Sequence, residues 1–525
     1  MRWKENTARR IGLFVFAGAL FGSAAMSAPA QCSANCSGVA EANNMDLVGY
    51  NDLQGRTAYI PTIEKQGDRW IAYIGVQADS PRLNPLTGKV EPPGTLIIDV
   101  TDPRHPTTLF HIPGEQIKRA DIDNIKPPGT AQEIVSTGAQ FARVCSGDRL
   151  PHGEKGKYYL LRGVGKTTWE TWDVTDPAKP SRLALVVNGI RNLHNGWWEC
   201  DTGIAYVAGG PLGWRIPPPP SDRLDGSNHT LIYDLSDPTK PVFIRTFGLP
   251  GQEPGSAFPI PTVGAHHMIS TGPKGNRVYY ANGDAGSGFV EIVDREKLLN
   301  GPKDPNDANL QYPVIGKIDL PADIGADMAF PMLGMHLPEF AKQKDGFVKD
   351  FLAVIGQSHN NVKECRDSRQ MMHIFDITTE SKPVGISTWT VPEASGNFCS
   401  RGGMFGTHSS NESFTPIYYN RILLIAHHNS GVRAVDIRDP YHPTEIGYYI
   451  PAVNERTRPS CVEGEPHHCK IVIDTNNLEV DDRGFIYAVD FAGTGMHILE
   501  LTGPARLAAN FSAIESPENK LGNKQ

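Results

Sequence analysis

The chain has 525 residues, of which 21% are charged and 8% aromatic, and its formal net charge is −8. This is ordinary globular composition, which excludes a largely disordered chain. The acidic balance also argues against nucleic acid or an anionic membrane surface as a partner.

Residues 1–30 read as a signal peptide. Arg2, Lys4, Arg9 and Arg10 form a positive n-region, Ile11 to Phe21 is a short apolar run, and Ala28-Pro29-Ala30 supplies a small-residue cleavage site. The Arg9-Arg10 pair leaves general and twin-arginine export both open. The apolar run is short for a membrane span, and no later stretch is long and apolar enough for one. The expected location is periplasmic or secreted. Segment 31–44 follows and carries Cys32 and Cys36. All eight cysteines lie beyond the signal, and an even number in an oxidising compartment favours disulfides. Cys32 with Cys36 and Cys461 with Cys469 are the local pairs expected to bridge. The alternative at the second place is a metal cluster of Cys461, His467, His468 and Cys469.

From residue 45 to 510 one pattern recurs: a short apolar run, an acid, a polar turn and usually a proline. It reads LIIDVTDPRHP ending at Pro106, ETWDVTDPAKP ending at Pro180, and LIYDLSDPTKP ending at Pro241. VEIVDREK around Asp294 is a weaker copy; MHIFDITTESKP, RAVDIRDPYHP and HILELTGP follow. The anchor acids are Asp99, Asp173, Asp234, Asp294, Asp376, Asp436 and Glu500, seven in all. A period above 50 residues fits propeller blades enlarged by loop insertions. Upstream of each anchor stands a β-branched or aromatic run such as Arg421-Ile-Leu-Leu-Ile-Ala, with Gly, Asn and Asp between runs, which is strand and turn grammar. The anchor acids serve the architecture. An Asp side chain accepts nearby backbone N–H groups, and the proline fixes φ beyond the turn.

GTLIIDVTDPRHP and GVRAVDIRDPYHP resemble the LVIVD-repeat family, over roughly residues 45–505. The resemblance implies an all-β chain, a single seven-bladed β-propeller of four-stranded blades. Ring closure is also readable. Met45-Asp-Leu-Val-Gly-Tyr50 looks like an outer strand with no blade of its own, so it is expected to complete the last blade beside Glu500. Residues 511–525 remain as a C-terminal tail.

In a propeller the innermost strand of each blade starts shortly before the Tyr-rich second strand. His194, His266 and His267, His336 and His408 stand near that position; His194 lies 12 residues before Tyr206, and His267 lies 12 before Tyr279. Asn477, Arg56 and Gln140 are the rough counterparts in the remaining blades. These starts share one face, which the loops between second and third strands enlarge: Gln77–Pro93, Pro211–Asn228 and Gln357–Gln370, with His359, His427 and His428. His194, His267, His336 and His408 are therefore the expected ligands of a metal at one mouth of the channel. Of His266 and His267 at most one is expected to face it, because alternate strand residues point opposite ways. Imidazole ligands outside the cytoplasm favour copper, with iron second. Glu199, Asp284 and Asp490 are candidates to orient them.

No nucleotide cofactor is expected, since Gly283 to Gly288 is a glycine-rich turn and not a phosphate loop before a helix. In outline the arrangement is similar to the selenium-binding protein/methanethiol oxidase family, in which a propeller carries histidine-bound copper, and to the carotenoid oxygenases with iron. That similarity implies a metal-dependent oxidoreductase acting on a small molecule at the enlarged face. A non-catalytic scaffold binding a protein there, and a metal storage or delivery protein, are the alternatives.

Overall fold

The structure is a computed structural model and describes residues 38–514, apart from 78–79, 118–134, 191–192, 212, 216–228, 284–286, 339–347, 358–363 and 367. The signal segment, Cys32, Cys36, Asp284 and His359 lie outside the described residues.

The strands that the apolar runs form assemble into seven antiparallel sheets of the four-stranded kind. The innermost strands are Ala58–Gln66, Ala142–Ser146, Gly196–Trp198, Ala265–Ser270, Met328–His336, Ser409–Ser410 and Thr475–Val480. Each touches the next around the ring, and the seventh touches the first. The molecule is thus the seven-bladed β-propeller expected. Second strands are covered on both sides by neighbouring blades, which explains their unbroken apolar character; Ile422–His427 is buried throughout. Ring closure buries Leu53, Ala58 and Ile74 of the first blade with Tyr487, Val489 and Ile498 of the seventh.

The acid anchors act as the turn chemistry requires. Asp99, Asp173, Asp234, Asp376 and Asp436 each accept the backbone N–H two residues on, at 2.8–3.0 Å. Asp294 departs from the pattern: its carboxylate accepts the Lys297 N–H at 3.0 Å and caps the helix Arg295–Asn300. These turns all lie on one face, opposite to the starts of the inner strands.

Met45–Asn51 pairs antiparallel with Met496–Leu501, setting Asp46 against Glu500, and so supplies the outer strand of the last blade as expected. The sheet structure begins earlier than residue 45, however. Glu41–Asn43 adds a fifth strand to the sixth blade, beside Thr444–Ile450. Glu41 is held there by Arg401, whose Nη1 reaches its Oε1 at 2.6 Å.

Cys461 and Cys469 form a disulfide, as do Cys145 with Cys200 and Cys365 with Cys399. The first excludes Cys461 and Cys469 as thiolate ligands, so the cluster with His467 and His468 is set aside. Cys145–Cys200 ties the second blade to the third across 55 residues, a loop whose closure is worth about 4 kcal/mol by chain entropy. Among the described residues no helix is long and apolar enough to cross a membrane.

Candidate functional site at the channel mouth

Seven strand starts converge where the inner strands begin. His194 precedes Gly196–Trp198, His266 and His267 open Ala265–Ser270, and His408 precedes Ser409–Ser410. The fifth blade contributes Asp327, immediately before Met328–His336. These side chains, with Glu412 and with Tyr59, Phe141 and Asn477 from the other three blades, line one enclosed cavity of ≈ 10 Å³. That is the room of about one water-sized particle.

His266 and His267 both line it, against the expectation of strict alternation. A bulge between Ala265 and His267 explains this, because it leaves the intervening residue without a cross-strand partner. Similar irregularities open the inner strands of the first blade, between Ala58 and Pro61, and of the seventh, between Thr475 and Asn477. The mouth is thus the place where the ladders give way.

Three histidines of this region are fixed by carboxylates. His266 Nε2 lies 2.7 Å from Asp327 Oδ1. His267 Nε2 lies 2.7 Å from Glu412 Oε1, and the other oxygen of Glu412 meets Arg143 Nη2 at 2.6 Å. His428 Nδ1 lies 2.6 Å from Asp474 Oδ1. The rings also approach one another: His194 and His266 have centroids 4.0 Å apart, and His408 and His428 5.4 Å apart.

Burial sets the protonation states. Desolvation pushes His194 well below the usual imidazole range, with the neighbouring His266 acting in the same sense. Desolvation likewise brings His408 down to about 4, against the pull of Asp327. Burial pushes the Asp327 carboxyl up, but His266, His408 and His267 outweigh it and the net shift is downward. Burial opposes ionisation of Glu412 too, and Arg143 and His267 overcome it. At neutral pH His194 and His408 are therefore neutral, beside the ionised carboxylates of Asp327 and Glu412.

Both are ligand forms. The buried ring atoms His194 Nδ1, His267 Nδ1 and His408 Nδ1 have no hydrogen-bond partner among the described residues. Among the described residues no group of three or more histidine, cysteine or carboxylate side chains is placed so that it could hold a metal ion.

His336 requires correction. It is exposed at the far end of the fifth inner strand, opposite Val348, on the face of the acid turns. Asp327 occupies the position assigned to it. Glu199 does not orient a mouth histidine either; it is buried at the other end of its strand and paired with Arg295 at 2.6 Å. Asp490 does lie behind the mouth, accepting the backbone N–H of Asp474 at 2.7 Å. Arg56 turns away to hold the first blade's insertion, donating to the carbonyls of Arg82 and Glu91. His427 packs its ring on Phe405 at 4.8 Å.

No family model matches this chain, and no curated protein matches it in sequence. Solved structures do resemble it. Raptor from Chaetomium thermophilum aligns with a TM-score of 0.47 at 10% identity over 87% of this chain, which spans only 29% of that protein's chain. Sqt1 from the same organism, bound to the N-terminus of a ribosomal protein, aligns with a TM-score of 0.44 at 11% identity, covering 87% of this chain and 99% of its own. The Cps50 (Swd1) β-propeller domain of Myceliophteria thermophila gives 0.44 at 10% identity, covering 88% and 100%. All three TM-scores lie below 0.5, and the seven-bladed propeller is read from the blades of the chain itself.

Proposed function

We propose that this chain is an exported metal-binding propeller, taking copper first and iron second, whose ion serves a redox reaction on a small molecule reaching the enlarged face. The observation that carries the reading is the enclosed cavity at which His194, His266, His267 and His408 meet Asp327 and Glu412. His194, His267 and His408 would hold the ion, with Asp327 beside them. Ligands offered by separate blades of a closed ring are held without loop entropy, which favours a defined site. The bound ion would supply one-electron chemistry.

The chain's own residues prepare the place. Glu412 fixes the ring of His267, and Arg143 keeps Glu412 ionised. Tyr59 and Phe141, both buried, exclude water from the side facing His194. The three disulfides accord with an oxidising compartment.

The test is elemental analysis of the exported protein beside a His194→Ala/His267→Ala variant whose fold is checked by its thermal melt. The expected result is about one copper or iron per chain, lost in the folded variant. No metal in either protein after reconstitution would leave a non-catalytic binding scaffold. Metal that exchanges freely would point to storage or delivery.

A further inference from the structure

Buried arginines elsewhere in this chain are neutralised by a carboxylate. Arg162 lies 2.8 Å from Glu170, Arg295 2.6 Å from Glu199 and Arg433 3.3 Å from Glu445. Arg245 is built differently. It stands on the outer strand of the third blade, Val242–Phe247, and is 2% exposed. Its Nη1 crosses to the fourth blade and donates to the Leu298 carbonyl at 3.0 Å, in the helix Arg295–Asn300. Nε and Nη2 are buried and have no hydrogen-bond partner among the described residues, nor does a carboxylate of those residues pair with the group. A guanidinium keeps its proton even when buried. The carbonyl end of a helix of 6 residues supplies only a fraction of the missing negative charge.

Two hydroxyls share the interface with it. In the ladder between His229–Asp234 and Val242–Phe247, Thr230 lies opposite Phe247 and Ile232 opposite Arg245. Thr230 and Arg245 are therefore diagonal neighbours on one face of the sheet. That face meets the fourth blade, where the Tyr280 ring lies 5.2 Å from that of Phe247. Thr230 and Tyr280 are both buried. Burial pushes the Tyr280 hydroxyl up, against the adjoining Thr230 hydroxyl and the Arg245 charge, so it remains a neutral O–H. Neither hydroxyl oxygen completes a hydrogen bond of normal geometry with the described residues.

The guanidinium only donates, and both hydroxyls can donate. A buried charge with no counter-charge is costly, and so are buried donors with no acceptor. We propose that a chloride-sized monovalent anion binds between the third and fourth blades, on Arg245 Nε and Nη2 and on the hydroxyls of Thr230 and Tyr280. Chloride suits the place because it carries one charge and accepts from several donors at once. Phosphate or sulfate would bring a second charge and more oxygens than these donors satisfy. The walls are apolar, formed by Ile232, Phe247 and Leu298, so the anion is enclosed and joins one blade to the next. The site lies in the wall of the ring, and the inference does not rest on the metal reading of the channel mouth.

The experiment takes the full chain in sodium gluconate and replaces gluconate by chloride or bromide at constant ionic strength. Thermal melts follow stability, and crystals exchanged into bromide are measured at the bromine absorption edge. The melting temperature is expected to rise and saturate, by about 3 °C once the halide reaches about 100 times its Kd. One anomalous peak is expected beside Arg245. Arg245→Met should abolish both the halide response and the peak. Tyr280→Phe removes one donor and should weaken halide binding by about 10-fold; it decides the matter if Arg245→Met does not fold. A wild type with no saturable rise and no peak beside Arg245 overturns the proposal. So does a rise that sulfate reproduces at equal ionic strength, which is a general salt effect, and so does a halide response that both variants retain in full.

Discussion

The two faces of the ring solve opposite problems. On the turn face each anchor acid bonds its own backbone two residues on, as Asp173 does to Thr175 at 2.9 Å. The need is local and is met within the same short segment. On the mouth face the polar groups depend on other blades: His267 on Glu412, His428 on Asp474, His266 on Asp327. Burying such groups costs stability unless every bond is made, and several ring nitrogens there have none. The turn face therefore builds the architecture, while the mouth face sacrifices packing quality for a polar centre.

That division can be broken by experiment, beginning with the largest effect. Glu199 anchors the turn end of the third blade through Arg295, Ser270 and Tyr206. Glu199→Ala strands a buried guanidinium and should lower stability by about 3–5 kcal/mol in urea unfolding. Metal content of the folded protein should not change; if it falls too, the two faces are not separable.

The next effect is one of pH. His497 is buried between blades and its pKa is driven down from 6.5 to about 4 by desolvation. The unfolded chain therefore binds the extra proton first. The stabilising contribution of the neutral ring is complete above about pH 6.5 and is lost as pH falls toward 4, about 3 kcal/mol in all. Denaturant melts from pH 7 to pH 4 should show this loss, and His497→Gln should flatten that part of the profile. An unchanged slope in the variant would place the acid sensitivity in the mouth histidines instead.

The smallest effect belongs to a single turn. Asp436→Ala removes the bond to the Arg438 N–H at 3.0 Å and should cost about 1 kcal/mol, with no change in Cu(II) affinity. A large change in affinity would mean that the turn face transmits strain through the sixth blade to His408.

What the sequence made legible follows from the same division. The DPxxP turns and the closing strand were readable because each is a local pattern with one geometric outcome. His194, His267 and His408 were readable because a histidine at a repeated offset before a Tyr-rich strand is conspicuous. His336 was misplaced because the fifth inner strand, Met328–His336, is nine residues long and starts well before that histidine. The residue at its start is an aspartate, which a search for imidazoles passes over. The bulge at His266 was hidden for a similar reason: a period of two carries no mark of an extra residue. Cys145–Cys200 joins different blades, and spacing along the chain says nothing of which blades adjoin.

The closure of the ring also has a consequence in time. Met45 finds its partner only in Leu501, and Glu41 only in Ile450. During synthesis the first strands must wait while five complete blades and most of two others emerge behind them. Contacts so remote in sequence form slowly, and both edges of the open ring remain available to other strands meanwhile. The strand is a clasp: docked onto the final blade, it makes the chain a circle without ends. A chain shortened before Met496 would keep every earlier blade and still leave both edges bare.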